Sequence, residues 1–151
     1  MASVFLLDTN ILTYAVDRRD PAKRELALEA LAALRENETG AVSTQTLAEF
    51  YVSATARIPD PLSLLEAGAR LAEIAATFAV HEITLPIVLE AARAAHAHQM
   101  SYWDAQVWAT AKLNQIPFVL SEDFQGWGSL EGVRCINPLI DGFKLSSLAG
   151  P

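Results

Sequence analysis

The sequence predicts an α/β domain with a mostly parallel central sheet. Three observations support this prediction. Short apolar runs typical of buried strands alternate along the chain with longer segments whose apolar residues recur at helical spacing. The chain has 151 residues, of which 52% are hydrophobic and 19% charged, enough for one compact core. The alternation of strand and helix favours parallel pairing, because each helix returns the chain to the same end of the sheet.

The first predicted elements alternate strand and helix. Residues 4–7 are a continuous apolar run, which is typical of a strand covered on both faces. A short helix over 10–17 follows, and a proline at the first helical position opens a longer helix over 21–37. A glycine ends that helix before a second short strand over 41–43. Residues 44–57 place apolar side chains on one side, which predicts a third helix.

The middle of the chain continues this alternation. Asp60 followed by Pro61 predicts the start of a fourth helix, because aspartate caps helices and proline suits the first helical position. A third strand is predicted over 78–83. A threonine, followed two residues later by a proline, then opens an alanine-rich helix over 84–99.

The last predicted elements complete a sheet of about five strands. A further helix covers 102–114, and strands cover 117–121 and 133–136. A single domain is therefore predicted over residues 1–138. Residues 139–151 carry few structural signals and are predicted to form a flexible tail.

The composition excludes several classes of protein. A single cysteine, Cys135, excludes a disulfide scaffold and, with no basic export signal before the first apolar run, predicts a cytoplasmic location. The apolar runs are too short to cross a membrane. A net charge of −7 argues against a simple nucleic-acid binder with a basic surface, but it is compatible with acids that bind cations.

Four acids occupy positions that the predicted fold brings to one end of the sheet. Asp8 ends the first strand and Asp123 follows the fourth, where parallel sheets bind ligands. Glu49 lies among apolar residues of the third helix, and Asp104 lies in the first turn of a buried helix. Structural alternatives remain open, since Asp8 and Asp104 also suit helix starts. Thr46-x-x-Glu49 fits a capping box, and Asp123 fits a polar loop.

Together the four acids predict a site for a hard divalent cation. Close carboxylates repel one another, and an unpaired buried charge costs several kcal/mol, so either protons or cations must relieve the repulsion. Mg²⁺ and Mn²⁺ take oxygen ligands, and they activate water and neutralise charge on a phosphoryl group. Ser121 lies two residues before Asp123, so in an extended segment its hydroxyl shares a side with that carboxylate.

Four segments in this order resemble the PIN domain family and, within it, the VapC-type ribonuclease toxins of prokaryotic toxin–antitoxin pairs. They are Asp8-Thr9-Asn10, Ser43-Thr44-Gln45 leading to Glu49, Tyr102-Trp103-Asp104-Ala105, and Ser121-Glu122-Asp123-Phe124. The resemblance covers residues 3–138, and none of the four acids is missing from the pattern.

The resemblance implies a three-layer α/β/α fold and a magnesium- or manganese-dependent phosphodiesterase that cleaves single-stranded RNA. It assigns catalysis and metal ligation to Asp8, Glu49, Asp104 and Asp123. It assigns supporting polar roles to Asn10, Ser43 and Ser121. It also implies a homodimer and, in many members, a small antitoxin protein whose tail blocks the site.

Two other functions remain open at this point. A catalytically silent PIN-like module that binds RNA or protein would keep the fold without metal-dependent cleavage. A phosphoaspartyl hydrolase would use Asp8 as a nucleophile, but it needs a second acid where this chain has Asn10. Candidate RNA contacts are the basic and aromatic side chains of Arg18, Arg19, Lys23, Arg24, Arg57, Lys112, Tyr14, Tyr102 and Trp127.

Overall fold

The computed structural model describes residues 4–124 and 127–150, and within them six strands form one sheet in the order β3-β2-β1-β4-β6-β5. The strands are β1 (Phe5–Leu7), β2 (Gly40–Ser43), β3 (Ala79–His81), β4 (Phe118–Leu120), β5 (Ser129–Leu130) and β6 (Val133–Ile136). All neighbouring strands are parallel except β5, which runs antiparallel to β6. The predicted, mostly parallel sheet is confirmed, with the short β5 as an additional strand.

Six α-helices lie around the sheet in the described part of the chain. They are α1 (Thr9–Tyr14), α2 (Pro21–Asn37), α3 (Thr44–Val52), α4 (Leu64–Thr77), α5 (Leu85–His98) and α6 (Tyr102–Leu113). A π-helical segment (Ser53–Arg57) continues α3, so the helix predicted over 44–57 is α-helical only in its first part. Across residues 4–124 and 127–150, the structure has no helix with both the length and the hydropathy to cross a bilayer.

The side chains of β1 alternate between two cores, one on each face of the sheet. Phe5 and Leu7 pack with residues of α1, α2 and α3. Leu6 packs on the opposite face with residues of α5 and α6, where Trp108 is fully buried. This period of two residues is that of a strand, and covering both faces buries all three side chains. The fold is therefore a three-layer α/β/α sandwich.

The fourth helix, α4, begins later than the sequence predicts. Ser63 is its N-cap, and the Ser63 hydroxyl accepts a hydrogen bond from the backbone N–H of Glu66. The Glu66 carboxylate accepts in return from the backbone N–H of Ser63. This capping box satisfies two backbone donors at once. The predicted start at Asp60 and Pro61 is wrong because a stronger capping signal follows it.

Residues beyond 138 contribute to the core beside α2. Leu139 and Leu148 are buried, the latter in a short 3₁₀ helix (Leu145–Ala149). The Thr39 hydroxyl donates to the carbonyl oxygen of Leu148 at 2.7 Å. The division of the chain at residue 138 stays a prediction, and the structure places these two leucines in the same core as the preceding elements.

The sheet order determines where the candidate residues lie. β1 lies between β2 and β4 and is parallel to both, so all three strands end at the same edge. The backbone N–H of Asp8, just after β1, donates to the carbonyl oxygen of Leu120 at the end of β4 at 3.0 Å. The segments that follow β1, β2 and β4 therefore leave the sheet side by side.

Gly40 begins β2 at a point where its neighbours leave no room for a side chain. A Cβ atom there would lie 2.7 and 2.9 Å from two ring carbons of Phe78 and 3.2 Å from Cβ of Leu34. We expect Gly40→Ala to lower the free energy of unfolding by about 1–3 kcal/mol, because a packed core resists added volume. Urea unfolding followed by circular dichroism measures the change.

Gly68→Ala is the matched control for this substitution. Nothing lies within 4 Å of the corresponding Cβ position, and Gly68 is inside α4, where alanine is favoured by about 1 kcal/mol. This variant is expected to be slightly more stable than wild type. If Gly40→Ala were as stable as Gly68→Ala, the Phe78 ring would have to yield without cost, and the packing argument would fail.

Candidate active site

Asp8 is buried at the carboxyl end of β1, with 7% of its surface exposed. Its Oδ1 accepts from the backbone N–H of Thr9 at 2.8 Å and so caps α1. Its Oδ2 accepts from the hydroxyl of Ser121 at 2.8 Å. Oδ1 of Asp8 therefore acts as the helix cap that was the alternative role for this residue, while Oδ2 contacts the segment after β4.

Burial raises the pKa of Asp8 to about 6, because desolvation disfavours the charged carboxylate. The hydrogen bonds from Ser121 and Thr9 lower this pKa, but the charges of Glu49 and Asp123 raise it further. The ionised form of Asp8 is therefore under-stabilised by the protein alone. Binding of a proton would neutralise this carboxylate, and binding of a cation would stabilise its charge.

Asn10 links Asp8 to Asp123. Its side-chain amide donates to Ser121 Oγ at 2.9 Å and to Asp123 Oδ2 at 3.0 Å, and it lies 3.5 Å from Asp8 Oδ2. Ser121 Oγ also accepts from the backbone N–H of Asp123 at 3.1 Å. Two residues predicted to have supporting roles therefore contact both strand-end acids.

Glu49 is held on α3 by two side chains. The Thr9 hydroxyl donates to Oε2 at 2.7 Å, and Gln45 donates through Nε2 to Oε1 at 3.0 Å. The Gln106 side chain of α6 donates in turn to Gln45 Oε1 at 3.0 Å. Because Thr9 directly follows Asp8, its hydrogen bond ties Glu49 to the segment that carries Asp8.

Ser43 has a different environment from the other predicted polar residues. It is fully buried as the N-cap of α3, and its hydroxyl accepts from the backbone N–H of Thr46. The Thr46 hydroxyl accepts from the backbone N–H of Ser43. The capping box of α3 is therefore Ser43 with Thr46, and the alternative of Thr46 with Glu49 is wrong because Thr46 is the third residue of the helix.

Asp104 is half-buried in the first turn of α6. Its backbone N–H donates to the Ser101 hydroxyl at 3.2 Å. Burial raises the pKa of Asp104, the hydrogen bond from Ser101 lowers it, and the charges of Asp123 and Glu49 raise it. Asp104 and Asp123 line the same cavity. Asp104 therefore lies within electrostatic reach of the other acids without a hydrogen bond to them.

The four predicted acids influence one another electrostatically, but they do not line one common cavity. Glu49 and Asp123 line a cavity that also contains Asn10, which we call the acid cavity. Across residues 4–124 and 127–150, no group of three or more His, Cys, Asp and Glu side chains is close enough to hold a metal ion as it stands. Free carboxylates repel one another, so a cation would be needed to draw them into a common ligand set.

The donor chemistry around the acid cavity fits a hard divalent cation. The groups are carboxylate, amide and hydroxyl oxygens, which Mg²⁺ and Mn²⁺ prefer. The side-chain oxygen Oδ1 of Asn10 is buried and has no hydrogen-bond partner among the described residues. An unpaired buried oxygen is costly, and a cation or its water would satisfy it. The residues present therefore fit such an ion.

Several basic side chains among the candidate RNA contacts are engaged elsewhere. Lys23 donates to Glu122 at 2.7 Å, and Lys112 donates to Glu90 at 2.7 Å. Arg57 is different, because it is exposed, lines the acid cavity, and has no ion-pair partner within residues 4–124 and 127–150. Arg57 is therefore a candidate cation beside the acids, whereas Arg19, which lines the same cavity, is paired with Asp17.

Three residues of the site, Thr9, Gln45 and Gln106, have no role predicted from the sequence. Gln45 precedes Glu49 by four residues, so their position on one face of a helix was a usable signal. Thr9 lies inside a quoted motif, but nothing local indicates that it reaches Glu49. The contact of Gln106 depends on the packing of α6 against α3, which no local pattern specifies.

Comparison with known proteins identifies a family and a set of similar folds. The PIN domain family model matches residues 5–125, a range that contains all four acids. No curated protein matches the sequence. A toxin–antitoxin complex from Klebsiella pneumoniae has a TM-score of 0.65 and 22% identity, covering 88% of this chain and 96% of that chain.

Two further solved structures are similar. VapBC2 from Rickettsia felis, bound to a DNA fragment from the promoter, has a TM-score of 0.67 and 14% identity, covering 89% of this chain and 98% of that chain. VapC20 from Mycobacterium tuberculosis, a toxin that cleaves the sarcin–ricin loop, has a TM-score of 0.66 and 19% identity. The match covers 86% of this chain and 98% of that chain. At these identities the similarity is one of fold.

Proposed function

The chain belongs to the PIN domain family, and from this premise we propose that it is a metal-dependent endoribonuclease that cleaves single-stranded RNA. The observation that carries the proposal is the hydrogen-bonded group at the carboxyl edge of the sheet, in which Asn10 and Ser121 contact both Asp8 and Asp123. Glu49 is attached to this group through Thr9.

The proposed chemistry is hydrolysis of a phosphodiester. One or two Mg²⁺ or Mn²⁺ ions would be held by Asp8, Glu49, Asp104 and Asp123. Such ions, when bound, supply an acidified water and neutralise charge on the phosphoryl group. The protein's own contribution is orientation: Asn10 and Ser121 fix the two strand-end carboxylates, and Thr9 and Gln45 fix the two oxygens of Glu49.

The similar structures support a biological setting for this activity. One of them is described as a toxin–antitoxin complex, one as VapBC2 and one as the toxin VapC20. We therefore propose that the chain is the toxin of such a pair, with a small antitoxin as partner, a homodimeric assembly and a cytoplasmic location. Its single cysteine is compatible with a reducing compartment.

Cleavage of single-stranded RNA by the purified chain, freed of any inhibitor, tests the proposal. We expect cleavage with Mg²⁺ or Mn²⁺ that stops when a chelator is added. Asp104→Asn is expected to lower the rate at least about 100-fold, since even groups that only support metal ligands are worth about 10–100-fold. Asp141→Asn is the matched control and should cleave like wild type, because Asp141 is exposed and lines neither the acid cavity nor the cavity shared by Asp104 and Asp123.

The outcome of this assay separates the two classes of function. A folded wild-type protein that cleaves no RNA with either ion would overturn the nuclease proposal and favour a catalytically silent binding module. Equal activity of Asp104→Asn and Asp141→Asn would remove Asp104 from the proposed site.

A further inference from the structure

A second cavity adjoins the acid cavity, and we call it the Trp103 cavity. Its volume is about 680 Å³, within the range of sites for small organic groups. Trp103 and Ile83 give it apolar walls, and Gln106 gives it a polar one. Glu49 and Arg57 line both cavities, so the two are continuous across these residues.

Trp103 is exposed but firmly supported. It exposes 61% of its surface, whereas the neighbouring Trp108 is fully buried. Gln45 Nε2 donates to the Trp103 carbonyl oxygen at 3.2 Å, and the ring of Tyr102 packs edge-to-face at 5.2 Å. The Tyr102 hydroxyl donates to Gln106 Oε1 at 2.7 Å and so holds its own ring in place. A large aromatic face is therefore presented to solvent on a fixed base.

Arg57 supplies positive charge at the boundary between the two cavities. It is the last residue of the π-helical segment, and such interruptions of α-helices are frequent at functional sites. In the part of the chain that the structure describes, no acid is paired with it, unlike Lys23 and Lys112. A guanidinium offers several donors that match the oxygens of a phosphate group.

We propose that the Trp103 cavity binds one unpaired nucleotide of the RNA beside the phosphate that lies at the acids. In this arrangement the base stacks on Trp103 and Arg57 pairs with a phosphate of the same strand. The inference rests on the proposed function and adds to it a reason for single-strand selectivity. A base inside a duplex is already stacked on its neighbours and cannot lie on Trp103. Stacking accepts any base, so the cavity selects an unpaired nucleotide rather than a sequence.

Binding of short single-stranded RNA, with each position in turn made abasic, tests this inference. Calcium replaces magnesium in this assay, because it takes the same kind of oxygen ligands. Binding is measured by fluorescence anisotropy and does not depend on cleavage. Trp103→Ala is expected to weaken binding of intact RNA about tenfold, and Trp103→Phe to restore most of the affinity. Removing the one base that stacks on Trp103 should weaken binding to wild type about as much as Trp103→Ala does. The same abasic RNA should bind Trp103→Ala no more weakly than intact RNA does.

The contribution of Arg57 is read from the salt dependence of the same binding. Arg57→Gln is expected to reduce the slope of log affinity against log salt by about 0.7, the value for one phosphate contact on a single strand. Leu65→Ala and Arg70→Gln on α4 are the matched controls, because Leu65 is 85% exposed and Arg70 is also exposed. Both should bind RNA like wild type.

Three results would overturn the inference, and they differ in what else they affect. If wild type binds no single-stranded RNA and also fails to cleave it, the proposed function falls as well. If wild type cleaves RNA but every abasic position affects wild type and Trp103→Ala alike, only the nucleotide site is wrong. If Trp103→Ala changes the oligomeric state in sedimentation while abasic positions have no effect, Trp103 belongs to a contact between protein chains.

Discussion

Replacing Asp8 with asparagine is expected to abolish RNA cleavage while making the metal-free protein more stable near neutral pH. The carboxyl group of Asp8 has a pKa of about 6 in the folded protein, raised chiefly by burial from its usual 3.8. This difference corresponds to a cost of about 3 kcal/mol for the ionised form. Asparagine removes that charge but keeps an oxygen for Thr9 or Ser121, so we expect a gain of about 1–3 kcal/mol in the free energy of unfolding.

The pH dependence gives this prediction a definite sign. Between about pH 4 and pH 6 the folded state holds a proton on Asp8 that the unfolded state has released, so the stability of metal-free wild type falls as pH rises through this window. The stability advantage of Asp8→Asn over wild type should therefore be small near pH 4 and complete above about pH 6. Thermal unfolding in the presence of a chelator, at several pH values, measures the difference.

Asp17→Asn is the matched control and should have the opposite effect. Asp17 accepts from the Arg19 guanidinium at 2.6 Å, and this hydrogen bond lowers the pKa of Asp17. Its ionised form is stabilised by folding, so the substitution should destabilise the protein at neutral pH. Mn²⁺ should raise the melting temperature of wild type, and it should raise that of Asp8→Asn much less. An unchanged response of Asp8→Asn would contradict its role as a ligand.

Local patterns were sufficient for most of the fold. The predicted bounds of α2 and β6 match the structure, because a proline opens the helix and the strand has only one charged residue, Arg134, among apolar ones. The start of α4 was misplaced because two capping signals compete within a few residues and only the packed structure shows which one is used. The short β5 was missed because its pairing with β6 depends on the turn between them rather than on its own sequence.

The candidate site was predictable only in part, for a similar reason. Asp8 could be placed because it follows β1 directly, and Asp123 because it lies in the short segment just after β4. The bridge through Asn10 depends on β1 lying next to β4, which is a property of sheet order rather than of either segment. The exposure of Trp103 was hidden as well, because an aromatic residue at the start of a buried helix predicts core packing.

The sharpest test of the candidate site compares two adjacent acids on the segment after β4. Asp123→Asn is expected to lower the single-turnover rate of RNA cleavage at least about 100-fold with Mg²⁺. Asp123 accepts from the Asn10 amide at 3.0 Å and lies close enough for its charge to raise the pKa of Asp8 and of Asp104. Its carboxylate therefore belongs electrostatically to the group proposed to hold the ions.

Glu122→Gln removes the same charge one residue earlier and should leave the cleavage rate nearly unchanged. The Glu122 carboxylate is engaged elsewhere, since it accepts from the Tyr14 hydroxyl at 2.6 Å and from Lys23 at 2.7 Å. Loss of this partly exposed ion pair should cost at most about 1 kcal/mol of stability, visible as a small drop in melting temperature. Equal loss of activity in both variants would mean that the segment's folding, rather than the carboxylate of Asp123, is what cleavage requires. Full activity of Asp123→Asn would remove it from the site, because a ligand of the proposed ions cannot lose its charge without cost.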